Sequence, residues 1–90
     1  METVCREVTV RNRAGIHTRP ASMLVRTAAK FSADFFIKKD SFEINGKSII
    51  GVMTLAAEQG AKLMLEFRGD DAEAAADAVA QLFEDGFGEV

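Results

Sequence analysis

Over Thr3 to Val10 the chain alternates, with Val4, Val8 and Val10 on one side and Thr3, Glu7 and Thr9 on the other, which predicts a half-buried strand. Arg6 interrupts the apolar side and marks a partly covered edge, where a long side chain reaches water. Arg11 to Gly15 reads as a turn. From Thr18 to about Phe31 the period becomes helical, Ala21, Leu24, Val25 and Ala28 sharing a stripe that Ser22, Arg26 and Lys30 avoid. Ala33 to Lys39 returns to strand spacing, with Phe35 and Ile37 on one side and Phe36 facing outward. Asp40-Ser41 turns into a second run, Phe42 to Asn45, where Phe42 and Ile44 continue the buried parity.

Asn45-Gly46 by itself signals a tight hairpin, but the residues after it do not alternate. Ser48 is suited to cap a helix, and Ile49, Val52, Met53 and Leu55 follow at helical spacings. Gly51 weakens that helix, which is predicted to be short and to end by Gly60. Ala61 to Phe67 is the cleanest strand, with Ala61, Leu63, Leu65 and Phe67 against Lys62, Met64 and Glu66. Arg68-Gly69-Asp70 is a turn. Asp70 or Asp71 is expected to cap a last helix with Glu73 in its first turn, a stripe of Ala75, Ala78, Val79, Leu82 and Phe83, and a stop at Gly86. The order is β-α-β-β-α-β-α. Its natural packing is an α+β two-layer open-faced sandwich, three helices on one face of a four-stranded antiparallel sheet. The pattern leaves the strand order open.

Ninety residues without a linker, repeat or low-complexity tract predict one domain over residues 1–90, burying about 60 to 65% of its unfolded surface. Such a chain suits two layers better than a deep catalytic cleft. A single cysteine, Cys5, and a single histidine, His17, provide neither an internal disulfide nor a metal-ligand cluster, so a reducing compartment, no metal and no cofactor are expected. The first residues carry charge where a leader needs an apolar run, and no stretch has the length of a membrane span, so a cytoplasmic location without membrane insertion is expected.

The net charge of −3 argues against a nucleic-acid partner, yet the charge is unevenly spread. Residues 1–47 hold nine Lys/Arg and five Asp/Glu, whereas residues 48–90 hold two and nine. Arg11, Arg13, Arg19 and Arg26 flank His17 in sequence and predict a positive face that steers acidic or phosphorylated partners toward it.

The chemistry is concentrated in Gly15-Ile-His-Thr-Arg-Pro-Ala21. His17 follows a glycine that can turn the chain sharply and precedes a proline at a helix start, where a missing N–H costs nothing. The ring therefore stands over a helix N-terminus, with its free amides and positive dipole end. Arg19 adds a guanidinium suited to phosphate. Together they describe a histidine that can be phosphorylated: a neutral ring nitrogen attacks a phosphoryl group, and the amides near Thr18 and Arg19 with the Arg19 side chain hold its oxygens.

That stretch resembles the active-site signature of the HPr family, the histidine phosphocarriers of the phosphoenolpyruvate-dependent phosphotransferase system. Asn45-Gly-Lys-Ser-Ile-Ile-Gly-Val-Met-Thr-Leu-Ala56 resembles the same family's regulatory-serine segment. The resemblance implies strand order 1-4-2-3, phosphorylation of His17 on Nδ1 by enzyme I, and onward transfer to enzyme IIA sugar-transport components. Thr18 stands where many members have alanine. The resemblance also implies regulatory phosphorylation of Ser48 by an HPr kinase/phosphorylase, although a serine at a helix start serves equally as a cap. With Val52 and Leu55 inward, Ile49, Ile50 and Met53, with Arg26, are expected to form a partner-docking patch near His17. A monomer is expected. Two other readings remain: a nitrogen-branch paralogue, whose flavour is present in Leu82 to Phe87, and a non-catalytic interaction module.

Overall fold

The computed structural model describes residues 2–90. Strand β1 (Thr3–Thr9) leads to helix α1 (Thr18–Ala28), then β2 (Asp34–Lys39), β3 (Phe42–Asn45), a short α2 (Ile49–Thr54), β4 (Lys62–Arg68) and α3 (Ala72–Glu84), with a 3-10 turn over Gly86–Gly88. The sheet is antiparallel throughout in the order β1-β4-β2-β3, as the family resemblance implied.

The alternation in β4 makes it the centre of the sheet. Leu63, Leu65 and Phe67 are buried, and Phe67 lies opposite Phe35 of β2 with the rings stacked at 4.5 Å. Ile37 sits between Leu65 and Ile44 in register, so this inner position of β2 meets an apolar neighbour on both sides. The helices cover this face: Ala21, Leu24 and Ala28 of α1 and Ala72, Ala75, Ala76, Val79 and Phe83 of α3 are buried in it.

Arg6 lies on the edge strand, as its position in the pattern predicts. It turns against α3, donating to Glu73 at 2.8 Å and Asp77 at 2.9 Å. Ser48 caps α2, its Oγ accepting from the Gly51 amide at 3.1 Å. Phe36, outward by parity, is half-buried on the uncovered face of the sheet beneath the Arg68 guanidinium, 5.2 Å from the ring centre.

Three expectations are corrected. Phe42 holds the buried parity but is 69% exposed, because β3 is an outer strand and its start runs past the helices. Asp71 occupies the position before α3, but its side chain makes no cap. Its carboxylate instead accepts from the Ser32 and Ala33 amides, both at 2.8 Å, tying the start of β2 to the start of α3. Helix α1 ends at Ala28 rather than near Phe31: the Lys30 and Phe31 amides turn to the carbonyls three residues back, of Thr27 at 3.2 Å and Ala28 at 3.1 Å, and Asp71 takes the next two amides.

Candidate functional site

Gly15 makes the turn between β1 and α1 possible. Its φ of +72° lies in the left-handed region, and a Cβ there would come within 2.5 Å of the Ala57 carbonyl oxygen. The same carbonyl accepts from the Ile16 amide at 2.9 Å, so the loop after α2 pins the turn from beneath. His17 follows as the residue before the first turn of α1, with extended backbone and no cap bond from its ring. The first helical bond runs from the Ala21 amide to the His17 carbonyl at 3.0 Å. The amides of Thr18 and Arg19 precede it and donate to no acceptor among the described residues, and Pro20 has none to offer. A half-exposed ring, two unengaged amides and a guanidinium thus stand within three residues.

The largest departure from the sequence reading is Glu89. Its carboxylate lies against His17 Nε2, at 2.8 Å from Oε2 and 2.9 Å from Oε1. It also accepts from Arg19 at 3.0 Å and from the Asn12 side-chain amide at 2.9 Å. The bond from His17, then those from Asn12 and Arg19, hold the Glu89 carboxyl below its ordinary range, against the opposing effect of burial.

The segment after α3 delivers this carboxylate by an unusual backbone path. Gly86, Phe87 and Gly88 all have positive φ, of 59°, 56° and 73°. For a phenylalanine that conformation costs on the order of 1–2 kcal/mol. It is held because the Phe87 ring is fully buried, edge-on to Phe83 at 5.0 Å, while its carbonyl accepts from Arg19 at 2.8 Å. The Arg13 amide then donates to the Val90 carbonyl at 2.7 Å.

Asn12 joins the loop to this tail. It is buried, and its amide group donates both to Glu89 and to the Gly15 carbonyl, at 2.7 Å. Neither Glu89 nor Asn12 stands out in the sequence. A polar residue in a turn and an acid 72 positions from the histidine carry no periodic signal; the nearest one was the aromatic between two glycines at 86–88.

An ionised carboxylate only accepts hydrogen bonds, so His17 Nε2 carries a hydrogen, and in the neutral ring Nδ1 then carries the lone pair. Nδ1 has no hydrogen-bond partner among the described residues. The arrangement suits nucleophilic attack from Nδ1, with the product charge received by a helix N-terminus and a cation.

The other predicted residues form a second group. Ser48 stands half-buried at the head of α2. Val52 and Leu55 pack inward, while Ile50 is 75% exposed and Ile49 and Met53 are 40% exposed. Ile49 faces α1 across an open groove lined by Ser22, Val25 and Arg26, so the patch borders α1 one turn and more beyond its start. Among the described residues no cluster of His, Cys, Asp and Glu could hold a metal ion, and no helix is long and apolar enough to cross a membrane.

Residues 4–85 match the family model for the PTS HPr component phosphorylation site. The phosphocarrier protein HPr of Treponema pallidum (strain Nichols) is 42% identical over 86 residues, covering 96% of this chain and 98% of that protein. The HPr-like protein Crh of Bacillus subtilis (strain 168) is 38% identical over 77 residues, covering 86% and 91%. The crystal structure of an HPr from Thermoanaerobacter tengcongensis superposes with a TM-score of 0.90 at 41% identity, over 100% of this chain and 99% of that one. A second structure from that organism, of an HPr dimer, gives 0.78 at 43% identity over 91% and 94%.

Proposed function

Given that the chain belongs to the HPr family of phosphotransferase-system phosphocarriers, we propose that His17 is its phosphoryl-carrying residue, accepting the group on Nδ1 from phosphorylated enzyme I and passing it to an enzyme IIA component. The observation that carries this reading is the bare Nδ1 of His17 at the start of α1, its other nitrogen engaged by Glu89. The unengaged amides of Thr18 and Arg19 are suited to the phosphoryl oxygens, and the rest of the Arg19 guanidinium to their charge. Phosphoryl transfer asks little more of a carrier, since alignment and charge stabilisation are assembled jointly with the partner.

Ser48 is the second modification site of this reading, as substrate of an HPr kinase/phosphorylase. Beside the exposed Ile49, Ile50 and Met53, and across the groove from Arg26, a phosphate there adds about −1.5 to −2 charges to the docking surface and acts by repelling an acidic partner. Ser48→Asp is expected to weaken enzyme I binding severalfold in calorimetry without altering the fold, and equal affinity would remove the electrostatic explanation. The carrier is expected to work as a cytosolic monomer; light scattering tests this against the dimer seen in the T. tengcongensis relative.

The deciding experiment is intact mass after incubation with enzyme I and phosphoenolpyruvate. One acid-labile phosphoryl adduct on the native chain, absent from His17→Ala, is the expected result. An adduct formed only with a nitrogen-branch enzyme I would assign the chain to that branch. No adduct with either would leave a non-catalytic interaction module.

A further inference from the structure

We propose that Glu89 is a positioning residue that keeps the proton on His17 Nε2 through the whole phosphorylation cycle and so keeps the phosphoryl group transferable. The proposal rests on His17 being the carrier. It follows from a balance of charge. When Nδ1 attacks, its lone pair becomes the new N–P bond, while the donor's bond to phosphorus breaks with its pair retained by the donor. No proton moves, because Nε2 already carries one. The ring is then a phosphoimidazolium, whose positive charge lies 2.8 to 2.9 Å from both oxygens of Glu89. In onward transfer the N–P pair returns to Nδ1 and the ring departs as a neutral imidazole. Were Nε2 to lose its proton, the departing group would be an imidazolate, a far poorer leaving group.

The structure supports Glu89 in this role at every contact. Arg19 and the Asn12 amide hold its carboxylate without supplying a proton it could take; Phe87 anchors the backbone before it through its buried ring and its carbonyl, and the Arg13 amide holds the Val90 carbonyl after it. The charged groups around the ring are Glu89 from the tail and Arg19 from α1. On the preceding loop Arg11 is paired with Glu84 of α3 at 3.3 Å, and Arg13 is exposed. Nothing else among the described residues contacts Nε2, so the ring's proton depends on Glu89.

The test compares the native protein with Glu89→Gln and Glu89→Ala by two measurements. Ring nitrogen shifts of the unphosphorylated proteins report the tautomer: the native ring is expected wholly as Nε2–H, and the alanine variant as a mixture. This readout needs no enzyme I and stands even if the chain is not a carrier. The second measurement is the rate of phosphoryl transfer to an enzyme IIA as a function of pH. In both variants the alkaline limb is expected to move down by about one pH unit, with transfer slowed about tenfold at pH 8, the size of one charge-assisted hydrogen bond. A native ring found as a tautomer mixture, or an unmoved alkaline limb in a folded glutamine variant, would overturn the proposal. Absence of any adduct on the native chain would instead overturn the carrier reading.

Discussion

Two carboxylates in this protein meet the same description and do different things. Glu66, on the uncovered face of the sheet, is buried between the Lys38 ammonium, at 2.8 Å, and the Arg68 guanidinium. Glu89 lies between the Arg19 guanidinium and the His17 ring. Both carboxyls sit below their ordinary range, Glu66 chiefly through its bond from Lys38 and Glu89 chiefly through its bond from His17. The partners of Glu66 are permanently charged and are set by strand register, since Lys38 and Arg68 flank it on β2 and β4. His17, against Glu89, has a second nitrogen with no partner among the described residues and stands at a helix start. A depressed carboxyl between two cations therefore does not mark a working site. A reactive atom left unsatisfied beside it does.

The comparison is broken most severely by removing the anchor of the tail. Phe87→Ala empties a fully buried position and removes the reason for the left-handed backbone at 87, so it is expected to cost about 3–5 kcal/mol in denaturant unfolding and to release Glu89 from His17. Native-like ring nitrogen shifts in a variant that still folds would show that the tail is held some other way. Arg19→Ala comes next: it removes the guanidinium from both Glu89 and the Phe87 carbonyl, and phosphoryl transfer in a coupled assay is expected to fall about tenfold while the fold is retained. An unchanged rate would take Arg19 out of the site.

Glu66→Gln sharpens the contrast from the other side. It is expected to lower Tm modestly, by removing one charge from between two cations, and to leave transfer untouched. The smallest effect is that of acid. Because the folded Glu66, Asp71 and Glu89 carboxyls all lie below their unfolded values, the stability they add is complete above about pH 4 to 4.5 and is lost as pH falls through the folded range. Acid titration of Tm is expected to show a shallower loss in Glu66→Gln than in the native chain, and an identical slope would mean that Lys38 and Arg68 do not couple to it.

Much of this molecule is legible in one dimension. The period of two in β4, the period near 3.6 in α1 and α3, the Ser48 cap, the Gly15 turn and the placing of His17 at a helix start are all patterns carried by short stretches of sequence. The exposure of Ile49, Ile50 and Met53 beside the buried Val52 followed from the family resemblance and not from spacing, which fits a buried stripe equally well. What tertiary structure decided concerns residues that act at a distance. Asp71 left its own helix for two amides 38 and 39 positions away, Phe42 kept its parity but met no covering layer, and Glu89 crossed 72 positions to the only histidine. The two carboxylates took the partners that packing brought within reach, and Phe42 was left without one. Hydrophobic periodicity determines which faces turn inward, and only the folded chain determines which charges then meet.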